Sequence, residues 1–187
     1  MLSISVKGKL GELARAVGSD GPKKLRRETA TAINATARKT QSMLSKEIGK
    51  ELATSQKEIK KTIRVTSKAS AAKLGATVSQ RPTSRISLLQ FGARQTKKGV
   101  SYKVSKTKGR KTVPGAFIVN RLGQHVFKRK GKTSLPITKL HGPSPWGITV
   151  KNALDKVVAK RDVEPELLKQ IDRRIRAIDY KRRQGIA

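Results

Sequence analysis

Apolar and polar residues alternate at the start of the chain, with Leu2, Ile4 and Val6 on one side, and then shift to helical spacing at Leu10, Leu13, Ala14 and Val17. The first set predicts a short strand and the second a short helix, closed by a turn from Gly18 to Gly21. Pro22 fits the first turn of the next element, where its missing N–H has no partner to lose. Leu25, Ile33, Ala37, Leu44 and Ile48 then recur at helical intervals with no further proline, which predicts a long helix. Its other faces carry Thr29, Ala30, Ala32, Ala35 and Thr36, small side chains that suit close helix packing or reflect plain helix propensity. Ser55 and Glu58 stand in the relation of a capping box, so a second helix is expected there, carrying Ile59 and Ile63.

From about Thr62 the period changes to that of strands: Ile63 and Val65, then Leu74, Ala76 and Val78, then Ile86 and Leu88, separated by Ser, Gly and Pro. Further strands are predicted over Val100 to Val104, Val113 to Val119, His125 to Lys128 and Leu135 to Leu140. Pro114 and Pro136 mark strand starts or edges, where a missing donor is tolerated. Helical spacing returns from about Thr149 to Ala159 and from Pro165 to Tyr180, where Leu168, Ile171, Ile175 and Ile178 form one stripe. A terminal apolar stripe must bury itself against its own body or a neighbour, which makes these four residues candidate assembly contacts. The expected class is α+β: a long N-terminal helix, a small antiparallel β-sandwich or open barrel, and a C-terminal amphipathic helix. The expected division is a strand and helical arm over 1–61, a basic β-rich body over 62–148 and C-terminal helices over 149–187, together one compact domain.

Hydrophobic residues are 35% of the 187 positions and aromatics 3%, so the core is aliphatic and modest. The charge changes the picture more. Forty-four Lys and Arg against 12 Asp and Glu leave a formal net charge of +32, which would drive copies of the chain apart unless acidic protein or polyanion lies beside them. Membrane is the weakest candidate, because the uncharged runs Ile86 to Ala93 and Leu140 to Val150 fall far short of a span. The first 17 residues lack a continuous apolar segment of the signal-peptide kind, and there is no cysteine for a disulfide or thiolate site. Synthesis in the cytoplasm is expected.

The charge is unevenly placed. No Asp or Glu occurs from Ile59 to Leu154, while Lys and Arg continue at undiminished density. Ordinary solvated surfaces intersperse both signs, so an acid-free body points to a polyanion. Three loop clusters are the most basic: Arg94, Lys97 and Lys98; Lys106, Lys108, Arg110 and Lys111; and Lys128, Arg129, Lys130 and Lys132. They contain Gly99, Gly109 and Gly131 and almost no aromatics, which favours phosphate contact over base stacking or sequence readout; a merely solubilising surface is the plainer alternative. A helix-turn-helix reader is disfavoured, since Lys57, Lys60, Lys61 and Arg64 surround their helix instead of marking one face. Catalysis finds little to work with. His125 and His141 have no carboxylate near them in sequence. Asp155, Asp162, Glu164 and Glu166 are the only candidates for metal-assisted chemistry, and the last three precede or open a helix, where acids are favourable anyway. Gly92, Gly99, Gly109 and Gly115 make no phosphate-loop pattern. No enzyme, metal or cofactor is expected.

The order of short segments is more specific than any one of them: Ala93 through Val100 (ARQTKKGV), Pro114 through Ile118 (PGAFI), Val126 through Lys132 (VFKRKGK), Leu135-Pro136-Ile137 and Gly142-Pro143-Ser144. This succession resembles the minor tail protein Z family of lambdoid phages and prophages, in which an Ala-Phe-Ile strand is followed by a Val-Phe-Arg/Lys-Arg segment and then by Leu-Pro-Ile. The likeness extends coarsely to the N-terminal helix and its continuation from Leu52 to Ile63, but not to the first strand or the last helix. It implies a tail completion protein at the head-proximal end of the tail, contributing to head–tail joining near the packaged double-stranded DNA. Implied partners are other tail or neck proteins and copies of itself in a ring, with a hexamer as one option. No catalytic residue is carried over. The competing class is a sequence-independent nucleic-acid binder of ribosomal or nucleoid type, and a nuclease would be a third.

Overall fold

The computed structural model describes residues 7–17, 21–80, 83, 85–119, 125–148 and 163–185. The strand expected at Leu2, Ile4 and Val6 and the helix expected from Thr149 to Ala159 lie outside them. The chain forms two compact units: a helical unit of Met1–Met43, Arg64–Ser79 and Asp155–Ala187, and a β unit of Leu44–Ile63 and Gln80–Leu154. The backbone therefore passes between units at 43–44, 63–64, 79–80 and 154–155. The class is α+β as expected, with antiparallel three-stranded sheets that do not close into a barrel among the described residues.

In the helical unit α1 (Lys7–Val17) packs on the C-terminal helix, described below as α5 (Val163–Arg183). Leu13, Val17, Ala32, Ile171 and Ile178 make its buried core, with Leu25, Leu167 and Ile175 packed around them. Helix α5 begins two residues before the expected Pro165, so Glu164 and Glu166 stand in its first turn, where carboxylates complement the positive helix end. Helix α2 (Gly21–Glu51) is 31 residues long. Ala30, Ala32, Ala37, Thr29 and Thr36 are buried, so its small residues serve packing and not propensity alone. Burying hydroxyls is tolerable because Thr29, Thr36 and Thr40 donate to the carbonyls of Leu25, Ala32 and Thr36 at 2.9, 2.9 and 3.0 Å. Asn34, in mid-helix, clamps the backbone of Ala69 from both sides, donating to its carbonyl at 2.9 Å and accepting from its N–H at 2.8 Å.

Helix α3 (Gln56–Thr62) is capped as expected, Ser55 accepting from the Glu58 N–H at 3.4 Å. It ends one residue sooner than predicted: Ile63 is extended and opens β1 (Ile63–Ser67), because Thr62, Ile63, Val65 and Thr66 are β-branched. Strand β1 pairs with β2 (Thr77–Gln80), which excludes Leu74 and Ala76; Leu74 is left exposed.

The strand expected at Ile86 and Leu88 is instead one bridge, Ser87 to His141, followed by a 3-10 turn over Leu88–Phe91. Its three-residue period puts Leu88 and Phe91 on one side, and both are buried. Two antiparallel sheets follow, β3 (Arg94–Thr96), β4 (Gly99–Tyr102) and β5 (Lys111–Pro114), then β6 (Ala116–Val119), β7 (His125–Arg129) and β8 (Ile137–Lys139), with a short helical turn α4 (Trp146–Ile148) beyond. Leu88, Val100, Ala116 and Val126 form the core between them. Phe117 pairs with Phe127 and Ile118 with Val126 in the β6–β7 ladder.

Candidate nucleic-acid interface

All eleven predicted phosphate-contact residues fall in the β unit and all are exposed. Arg94 lies on β3, and Lys97 and Lys98 make the two-residue turn to β4, since Thr96 is paired with Gly99. The turn is fixed from three sides. Thr96 Oγ1 donates to the Gly99 carbonyl at 2.8 Å, the Lys98 carbonyl accepts from Gly115 N–H at 3.3 Å, and Gly99 takes a φ of +144° where a Cβ would run into the Val113 carbonyl. Lys106 and Lys108 project from the β4–β5 loop, whose start is tied down by a bond from Lys106 N–H to the Glu51 carbonyl at 3.0 Å. Lys111 opens β5. Lys128 and Arg129 end β7, and Lys130 and Lys132 continue into the β7–β8 loop.

Two of the eleven also hold the fold. The Arg110 guanidinium donates to Ser101 Oγ at 2.8 Å, to the Ser101 carbonyl at 3.0 Å and to the Gly92 carbonyl at 2.7 Å, clasping the outer face of the first sheet. Arg129 stacks over the Phe117 ring, 5.3 Å from its centre, which holds the guanidinium against β6. Gln95, which the sequence did not single out, stitches the sheets together. Its Oε1 accepts from the Ile118 N–H at 3.0 Å while its Nε2 donates to the Gly99 carbonyl at 3.2 Å.

The β unit holds 22 Lys and Arg against three acids, Glu47, Glu51 and Glu58, and the other nine acids of the chain belong to the helical unit. Of the three, Glu47 and Glu58 are paired at 2.6 Å with Lys50 and Lys61, one turn along their own helices. The sheets and their loops therefore present positive potential with no carboxylate among them, which concentrates polyanions at the surface.

Both histidines lie beside cations. His125 Nε2 lies 2.8 Å from Lys139 Nζ and its Nδ1 lies 3.5 Å from Ser87 Oγ. An ammonium can only donate, so in the contact with Lys139 the imidazole Nε2 is the acceptor. His141 is held below its ordinary value by desolvation, then by the charges of Lys139, Arg85 and His125, against a backbone bond to Lys139 that raises it. Among the described residues no group of three or more His, Asp or Glu is placed to hold a metal ion, and no helix is long and apolar enough to cross a membrane.

Of the four predicted assembly residues, Ile171 and Ile178 are buried in the core of the helical unit and Ile175 packs against it, while Leu168 is half-buried. The stripe is spent chiefly on the chain's own helices.

No curated protein and no solved structure matches the chain. A family does. The description prophage minor tail protein Z (GPZ) matches residues 22–181, from the first turn of α2 to the last turn of α5. It takes in all three basic clusters and also the last helix, which the resemblance read from the sequence had left out. With residues 22–181 of 187 matched, the chain belongs to the prophage minor tail protein Z family, a family of phage minor tail proteins.

Proposed function

We propose that the chain is a non-catalytic tail completion protein at the head-proximal end of the tail, contributing to head–tail joining and touching the packaged DNA through its phosphates. The observation that carries this reading is the eleven exposed cations on three anchored loops and their strands, in a unit whose sheets hold no carboxylate. Cations without aromatic neighbours at the loop tips engage phosphate and leave bases unread, so the contact is sequence-independent and lets DNA move along its axis. Copies of the chain repel one another, and a ring of them closes more easily around DNA or against acidic tail and neck proteins than alone. The helical unit, which mixes most of the acids with its basic residues, suits protein contacts.

Binding of the purified protein to duplex DNA is expected to fall about 10³- to 10⁵-fold between roughly 50 and 200 mM salt if six to ten phosphates are neutralised. A salt-insensitive isotherm, or a marked preference for one sequence, overturns the DNA contact. Locating the chain in intact virions tests its place in the tail: density at the distal tip overturns the joining role.

A further inference from the structure

Strand alternation sorts the second sheet into two faces. Ala116, Ile118, Val126 and Leu140 turn toward the core with Leu88, so His125 and Lys139 lie on the other side. The β7–β8 register continues past Phe127–Lys139 through a bond from Leu140 N–H to the Val126 carbonyl at 2.8 Å, which sets His141 opposite His125. The segment 86–88 runs along the far side of His141. Leu88 N–H donates to the Leu140 carbonyl at 3.2 Å and Gly142 N–H to the Ile86 carbonyl at 2.8 Å, so Ser87 pairs with His141. Arg85, two residues before Ser87, is within electrostatic reach of His141. The His125 ring stands edge-on to Phe127, 6.3 Å between ring centres, with Nε2 2.8 Å from Lys139 Nζ and Nδ1 3.5 Å from Ser87 Oγ. Ser87, His125 and Lys139 are half-buried while Arg85 and His141 are exposed, so the group is set into the surface yet open to solvent.

These residues are distinct from the eleven loop and strand cations, and their signs do not balance. Arg85 and Lys139 are cations, each histidine becomes one on protonation, and the acids of the β unit lie on α2 and α3. Like charges gathered on a backbone framework repel one another, and an anion between them turns that repulsion into attraction. We propose that Arg85, Lys139 and His141, positioned by Ser87 and His125, form a site for a single phosphate group, either a backbone phosphate of DNA or free inorganic phosphate. The donors differ in kind: a guanidinium fork, an ammonium and an imidazole, with a hydroxyl beside them. A tetrahedral anion has oxygens in enough directions to meet them, whereas a protein carboxylate offers two in one plane. His125 accepts one of the three Lys139 protons and leaves two for the anion. In the protein alone His141 is held below its ordinary value, by desolvation and then by the charges of Lys139, Arg85 and His125; a phosphate beside it opposes those charges and favours its protonated form. The site goes beyond the loop contact with DNA and does not depend on it.

The test uses the full chain with ring-labelled histidine, whose two resonances are told apart with the variant His141→Gln. Inorganic phosphate is titrated in with sodium chloride adjusted to hold ionic strength constant, which separates site binding from screening. The His141 resonance is expected to move saturably, and its titration midpoint to rise at saturating phosphate. Lys139→Gln should weaken phosphate binding about tenfold or more through the lost charge-assisted bonds, and Lys139→Arg should restore most of it. Arg85→Gln, at an exposed position off the strands, repeats the test without touching the sheet. A short duplex then identifies the source. If it displaces phosphate from His141, the site takes the DNA backbone; if the duplex binds while His141 keeps its phosphate-induced shift, the site takes free phosphate. A His141 resonance that responds to phosphate no more than to chloride overturns the site, as does phosphate binding unchanged in both Lys139→Gln and Arg85→Gln, and either result leaves the loop contact with DNA untouched.

Discussion

Gly99 shows how one residue positions charge. It follows Lys97 and Lys98 directly, at a φ of +144°, and a Cβ there would collide with the Val113 carbonyl across the ladder. Gly99→Ala is expected to cost about 1 to 3 kcal/mol, from backbone strain and the displaced strand. Gly109→Ala, in the next basic loop, meets open space and should stay within about 0.5 kcal/mol. Denaturant midpoints of the two variants separate these outcomes, and equal midpoints would show that the Lys97–Lys98 turn does not depend on its glycine. The sequence marked Lys97 and Lys98 plainly, since charge clusters are local. It gave no sign of the distant backbone groups that individual side chains hold. Gln95 bonds to Ile118, Arg110 to Gly92 and Asn34 to Ala69, and each partner lies 18 to 35 positions away. Polar side chains with distant backbone partners look like any surface polar residue until the chain is folded.

At the scale of elements, periodicity was legible where it was long. The spacing of Leu168, Ile171, Ile175 and Ile178 predicted α5, and the run from Leu25 to Ile48 predicted α2, because many turns repeat the same signal. Short apolar runs were ambiguous: Ile86 and Leu88 fit a strand, yet Leu88 and Phe91 are buried together by a 3-10 turn. What no stripe reveals is its partner. Helix α5 meets α1, the helix most remote from it in sequence, and the two share Leu13, Val17, Ile171 and Ile178. Ile171→Ala should therefore destabilise by about 2 to 5 kcal/mol, as core truncations do, whereas half-buried Leu168→Ala should cost less. Thermal or denaturant unfolding measures both. A loss at Leu168 as large as at Ile171 would mean that the stripe is read the wrong way round.

For the whole molecule, a net charge of +32 is a standing load on the folded state, since compaction brings like charges together. The melting temperature is therefore expected to rise with salt as repulsion is screened, and to rise further at low salt when duplex DNA is added. A ligand at about 100 times its Kd contributes roughly 2.7 kcal/mol if it binds only the folded chain. Differential scanning fluorimetry with and without DNA decides this, and a melting temperature indifferent to both additions would show that the charges are already neutralised within the fold. The path of the backbone between the two units has a separate consequence, for the order of events during synthesis. All of the β unit has been translated by Leu154, but the helical unit waits for α5, its last element. Helix α1 keeps Leu13 and Val17 without Ile171 and Ile178 until α5 has emerged. The basic sheets are thus complete in sequence while the helical unit is still open, so a chain halted between the two would carry the basic loops without a finished helical unit.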